Sequence, residues 1–224
     1  MKSPDLILFA KQPIPGEVKT RLQPAYSPEQ AAQIAEFLIC DTAKLAAANW
    51  PSDVYLYGAP GADHPLFRRL AEKFRLHLTA QADGNLGLKM LTALRQGIER
   101  RGAAGVLGCD VPHCRGAILE LAHEKLARGD NVIGPTEDGG YYFIGLQQAP
   151  GALFEHIEWG GSRVVETTLL RGQQLGIAFE VLPKLTDIDT GDDLWIIAHQ
   201  YEPLRKFLYN LLAGNTTSYA DSLY

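Results

Sequence analysis

Two acidic stretches in this 224-residue chain carry residue types suited to holding a divalent cation against phosphate. In Gly108-Cys109-Asp110-Val111-Pro112 an acid closely follows the apolar run Val106-Leu107, and Pro112 rules out further pairing in a central strand. Asp110 therefore stands just past a buried strand, where open α/β sheets bind ligands and a carboxylate can ligate a metal ion. Capping the helix that starts near Arg115 is the alternative role for it. In Asp187-Ile188-Asp189-Thr190-Gly191-Asp192-Asp193, Thr190 suits an N-cap, with Asp192 and Asp193 in the first helical turn. Asp187 and Asp189 remain, at alternate positions of an extended segment and so facing one way. Either can join Asp110 on Mg2+, which favours carboxylates together with phosphate oxygens and water; solvated loop acids are the alternative.

The matching cations lie near the N-terminus. Lys19 and Arg21 follow Gly16 just beyond the first apolar run, where phosphates sit in such folds. Arginine grips phosphate oxygens as a fork and lysine supplies a point charge; a solvated basic loop would use the same residues. The loop is not a Walker A motif, because Glu17-Val18 separates Gly16 from Lys19.

Two further loops carry candidates. In Gln81-Ala82-Asp83-Gly84-Asn85-Leu86-Gly87, the glycines allow close approach to a flat ligand, and Gln81 or Asn85 can present an amide to a nucleobase. An Asx turn and helix cap would explain the same residues. Asp138-Gly139-Gly140 supports a tight hairpin by itself, and Tyr141-Tyr142 after it can line an acceptor pocket or pack. Cys109, His113 and Cys114 resemble a soft-metal group, but tetrahedral zinc needs a fourth ligand and there is no second Cys/His cluster. There is no H-E-x-x-H, since His123-Glu124 continues as Lys125-Leu126-Ala127, and no G-x-S-x-G elbow.

The elements that must position these residues alternate. The run at 6–10 suits a strand buried on both faces. Residues 11–22, with two prolines and a glycine, read as irregular until after Gly16. Ser27 and Pro28 open a helix over 28–48 as N-cap and first helical residue. Strands follow at 53–57, 76–79, 105–107, 131–134, 141–145 and 178–182, with helices at 65–74, 86–99, 117–127, 162–175 and a closing helix at 192–212. Repeated βα units imply a mostly parallel, twisted sheet with helices on both faces.

At this length and 46% hydrophobic content, one core and one domain over 1–212 are expected, with a polar tail at 213–224. A net charge of -5 argues against a nucleic-acid partner or an anionic membrane surface. No window approaches the roughly 20 apolar residues of a membrane span. Three cysteines without a C-x-x-C fit a reducing cytoplasm better than a disulfide framework.

Together, KQPIPGEVKTRL, GCDVP, GPTEDGGYYFIGL and DIDTGDDL resemble the GT-A glycosyltransferase-like family of selenodomain-associated transferases, and more distantly the cofactor guanylyltransferases. The resemblance covers about residues 6–194. It implies a Rossmann-like GT-A sheet that binds a nucleoside di- or triphosphate through Mg2+ or Mn2+. It also implies Asp110 and Asp189 as metal ligands, Gly16, Lys19 and Arg21 at the phosphates, Gln81 and Gly87 at the base, and Asp138, Gly139, Gly140 and Tyr141 near the sugar or acceptor. Asp110, Lys19 and Arg21 would then carry catalysis. Glycosyl transfer from a nucleotide sugar to an unidentified small-molecule acceptor is the expected activity. Nucleotidyl transfer from a nucleoside triphosphate, releasing pyrophosphate, and nucleotide binding without turnover are the alternatives.

Overall fold

In the computed structural model, which describes residues 3–215 and 218–220, the chain forms one seven-stranded sheet flanked by seven α-helices among those residues. In chain order these are β1 (Asp5–Lys11), α1 (Pro28–Asn49), β2 (Val54–Ala59), α2 (Pro65–Phe74), β3 (His77–Ala80), α3 (Leu86–Arg101) and β4 (Ala104–Gly108). There follow α4 (Gly116–Arg128), β5 (Asn131–Pro135), β6 (Tyr141–Leu146), α5 (Val164–Gln174), β7 (Phe179–Val181), α6 (Gly191–Gln200) and α7 (Glu202–Leu212). The strand order is β3-β2-β1-β4-β6-β5-β7. All pairings are parallel except those of β6, which runs against both β4 and β5.

The alternation of side chains along β1 sets the two faces. Leu6, Leu8 and Ala10 pack with α1, α2 and α4, whereas Ile7 packs with Met90, Leu91 and Leu94 of α3 on the other side. Leu6, Ile7 and Leu8 are fully buried, as a strand between two helical layers requires. The N-cap expected at Ser27 is present and closes a full capping box, its hydroxyl accepting from Gln30 N. A second box closes on Thr190 and Asp193 at the start of α6.

Two features depart from the sequence reading. The closing helix is two helices, α6 and α7, because Pro203 starts a new first turn and Tyr201 before it is extended. The two helices and α1 enclose a separate core of Ile34, Phe37, Leu38, Ile197, Leu204 and Phe207. The end of the chain is not wholly a free tail: Tyr219 rests on Phe37 and Phe207, and Ala220 N donates to Glu36 at 2.9 Å. The other residues of the expected tail at 216–217 and 221–224 lie outside the described residues. A 3-10 turn, Thr20–Leu22, follows Gly16, after the stretch read as irregular.

From β1 the chain builds β2 and β3 to one side, then crosses to β4 on the other side of β1. That reversal opens a crevice beyond the carboxyl ends of β1 and β4.

Candidate active site

The residues on that crevice come from four segments. The loop after β1 supplies Lys19 and Arg21, the end of β4 supplies Asp110, the β5–β6 turn supplies Asp138, and the approach to α6 supplies Asp187 and Asp189.

Backbone pairing holds the last three in place. Residues 185–190 run alongside the end of β5: Leu185 N donates to Pro135 O at 3.1 Å and Glu137 N to Leu185 O at 3.0 Å. Further on, Ile188 N donates to Asp110 O at 2.9 Å, tying the segment to the end of β4. Ile188 is fully buried, so its neighbours Asp187 and Asp189 point the other way, as alternation in an extended segment demands. Asp138 is fixed by its own turn, one carboxylate oxygen accepting from Gly140 N at 2.9 Å.

The carboxylates of Asp138, Asp187 and Asp189 offer oxygens that all lie within 4.8 Å of one another. Burial, reinforced by the negative charges of Asp138, Asp189 and Asp110, pushes the Asp187 carboxyl up to about 6. Asp192 and Asp193 stand apart from this trio. Asp193 is occupied by the cap, accepting from Thr190 N at 2.8 Å and from the Thr190 hydroxyl at 2.7 Å.

Of the expected pair, the structure groups Asp189 with Asp138 and Asp187, while Asp110 lies beside them, near enough for its charge to raise Asp187. Asp110 also faces Lys19, with Nζ 2.7 Å from its carboxylate. Lys19 adopts a left-handed backbone (φ 47°), a conformation that costs a non-glycine residue energy, and its amine also donates to Ile188 O. Arg21 pairs with Asp189 at 2.7 Å. Both expected phosphate cations are thus held by acids of the same crevice.

The base-side candidates are anchored by the fold. The Gln81 amide donates to Tyr57 O at 2.9 Å and Ala10 O at 3.3 Å, so its donors are engaged across the ends of β1 and β2. Its side chain nonetheless lines the crevice together with Lys19 and Arg21. Asn85 is the N-cap of α3, accepting from Leu88 N at 2.9 Å. Gly87 answers to packing: a Cβ there would lie 2.5 Å from the Trp159 indole. Gly139 has φ 91°, and a Cβ on it would meet Ser162 O at 1.9 Å, so only glycine fits. Gly140 and Tyr141 line a cavity beside Asp138. Gly16 also has positive φ, 82°, with open space around it.

Cys109 and Cys114 are buried free thiols whose pKa burial pushes up to about 12, which disfavours the thiolate a soft metal would need. No described helix is long and apolar enough to cross a membrane.

A family model described as an uncharacterized protein conserved in bacteria (DUF2064) matches residues 42–161. No curated protein matches the chain. Among solved structures, a candidate nucleotide-diphospho-sugar transferase from Desulfovibrio desulfuricans G20 superposes with a TM-score of 0.83 at 25% identity, covering 96% of this chain and 99% of its own. The 4-diphosphocytidyl-2C-methyl-D-erythritol synthase from Anaerococcus prevotii DSM 20548 gives 0.57 at 14% identity, covering 90% and 99%. Glucosyl-3-phosphoglycerate synthase from Mycobacterium tuberculosis, in complex with Mn2+, uridine diphosphate and glucosyl-3-phosphoglycerate, gives 0.52 at 10% identity, covering 96% and 80%. The latter two share the fold. The α/β architecture is that of the nucleotide-diphospho-sugar transferases, as the motifs implied.

Proposed function

The chain belongs to the DUF2064 family of bacterial proteins, and on that premise we propose that it is a divalent-metal-dependent transferase that uses a nucleotide sugar as donor and a small molecule as acceptor. The observation that carries this reading is the convergence of three carboxylates and two cations on one crevice at the reversal point of the sheet.

The donor set fits the cation. Asp138, Asp187 and Asp189 supply only hard oxygen ligands, the chemistry Mg2+ and Mn2+ prefer. Burial first, and the neighbouring acids second, raise the Asp187 carboxyl, and a divalent ion held there would favour its ionised form. Asp138, Asp187 and Asp189 would hold the ion, which would supply stabilisation of the negative charge on the leaving group.

The chain's own residues do the rest. Lys19 and Arg21 meet the diphosphate oxygens, Arg21 as a fork and Lys19 as a point charge. Asp110 serves as a positioning residue, holding the Lys19 amine at 2.7 Å. Gln81 fixes the ends of β1 and β2 that floor the crevice. Gly139 and Gly140 shape the turn that presents Asp138.

The test is a thermal-shift screen of nucleoside di- and triphosphates and nucleotide sugars, with and without Mg2+ or Mn2+, because a ligand bound only by the folded chain raises its melting temperature. A shift that requires both nucleotide and metal is expected; its absence across the panel would overturn the reading. Incubating responsive donors with small-molecule acceptors then separates the activities. Nucleoside diphosphate as product marks glycosyl transfer, whereas pyrophosphate from a triphosphate marks nucleotidyl transfer. Binding without any product would leave a nucleotide-binding module.

A further inference from the structure

Two cavities meet at Asp110, and their linings differ in kind. The crevice already described carries Lys11, Lys19, Arg21 and Lys89. The second cavity, about 320 Å³, is walled by Phe9, Met90, Val106, Tyr141, Ile144 and Trp159. None of its lining residues is a lysine, arginine or histidine, and its charges are the carboxylates of Asp110, Asp138 and Asp187.

Its two tyrosine hydroxyls have partners already. That of Tyr142 donates to Pro183 O at 3.0 Å, and that of Tyr141 points to the Met90 sulfur at 3.8 Å. A ligand studded with hydroxyls would find few partners on these walls, and every unmet polar group would lose its hydrogen bonds to water. A flat apolar body, in contrast, gains rigid aromatic contact area. Trp159 is seated against Gly87, where a Cβ would come within 2.5 Å, so this wall is fixed by close packing.

Charge narrows the ligand further. Asp110 is offset from the neighbouring crevice by Lys19 at 2.7 Å, a divalent ion shared by Asp138, Asp187 and Asp189 would offset the other two acids of the lining, and a diphosphate donor would then add negative charge again. An anion entering here would meet that negative charge with no lysine or arginine in the cavity's own lining.

Resting on the transferase reading above, we propose that this cavity receives the acceptor, and that the acceptor is an uncharged molecule with a flat apolar body carrying a hydroxyl, not a phosphorylated or carboxylated compound. In the transfer, the hydroxyl oxygen bonds to the anomeric carbon of the sugar as the bond from that carbon to the diphosphate oxygen breaks. The electron pair of the broken bond leaves with the diphosphate, and the hydroxyl proton passes to solvent.

A matched pair of probes with one apolar body tests this: 1-naphthol, which is neutral, and 1-naphthyl phosphate. Each is titrated calorimetrically into the full chain with Mg2+, and the same samples are run with nucleotide in the thermal-shift assay. Binding of 1-naphthol at least tenfold tighter than its phosphate is expected. Trp159→Ala should weaken that binding at least fivefold and Trp159→Phe should restore most of it, with the nucleotide shift retained in both. Equal or tighter binding of the phosphate, or no naphthol binding by a chain that responds to nucleotide, would overturn the proposal. Selective naphthol binding without any nucleotide response would sustain the cavity's selectivity and remove the transferase reading, so the two fail separately. If Trp159→Ala does not fold, the comparison of the two probes on the unaltered chain decides alone.

Discussion

Asp187 carries more of the site than its position in the sequence suggests. It sits among Asp138, Asp189 and Asp110, and its carboxyl is the one raised by burial and by their charges. Asp187→Asn keeps the shape and removes a cation ligand, so metal-dependent nucleotide binding should weaken at least tenfold, about 1.4 kcal/mol or more, as read by titration. Lys19→Gln should weaken nucleotide binding while leaving binding of the metal alone close to unaltered, because Lys19 reaches Asp110 and Ile188 O, not the trio. Gly139→Ala tests the turn. It combines a left-handed backbone with a Cβ 1.9 Å from Ser162 O, so a loss of roughly 2–4 kcal/mol in urea denaturation is expected. At this scale the alternation of Asp187 and Asp189 was legible, since an extended segment with a buried Ile188 between them throws both acids to one side. The place of Asp138 in the acid trio was not, though the resemblance put it near the sugar or acceptor, because its partners lie some fifty residues away and meet it only through the pairing of Leu185 at the end of β5.

Helix and strand boundaries were largely readable from periodicity and caps, as Ser27 and Thr190 show. The break at Tyr201 was less so, because α6 and α7 both present apolar faces to α1 and only Pro203 marks the join. That join has its own titration. The Tyr201 hydroxyl donates to both oxygens of Asp41 at 2.9 and 3.0 Å, yet burial dominates and raises the Asp41 carboxyl to about 6. The folded chain therefore holds this proton more tightly than the unfolded chain, whose value is near 3.8. Its contribution to stability grows as pH falls from about 6 towards 4, and is absent well above 6. Half-buried His64, His113 and His123 have pKa values lowered by burial and act in the opposite sense. The diagnostic is thus a difference: the stability of the parent relative to Asp41→Asn should rise by on the order of 1 kcal/mol between pH 7 and pH 5, followed by chemical denaturation.

For the molecule as a whole, the parallel sheet and its helical layers were foreseen from alternating βα units. The hairpin turn at Asp138-Gly139-Gly140 already pointed to an antiparallel β5–β6 pair, whereas the insertion of β6 against β4 and the second core under α6 and α7 depend on contacts that sequence patterning does not specify. We expect residues 1–212 to unfold as one domain, in a single urea transition. Tyr219 belongs to that domain through Phe37 and Phe207, so Tyr219→Ala should cost about 2 kcal/mol without affecting nucleotide binding. The apolar cavity escaped the sequence because β1, α3, β4, β6 and the Trp159 loop each contribute to its wall.

The clasped pairs Lys19–Asp110 and Arg21–Asp189 give the crevice one more property. Each positive head is silenced by a nearby negative one, so little field reaches into solvent to draw a passing anion. A nucleotide arriving without metal meets a muted doorway, and its capture should depend only weakly on ionic strength. With Mg2+ seated among Asp138, Asp187 and Asp189, the Arg21 guanidinium is freed from Asp189 to face outward, and the same encounter should quicken and become sensitive to salt.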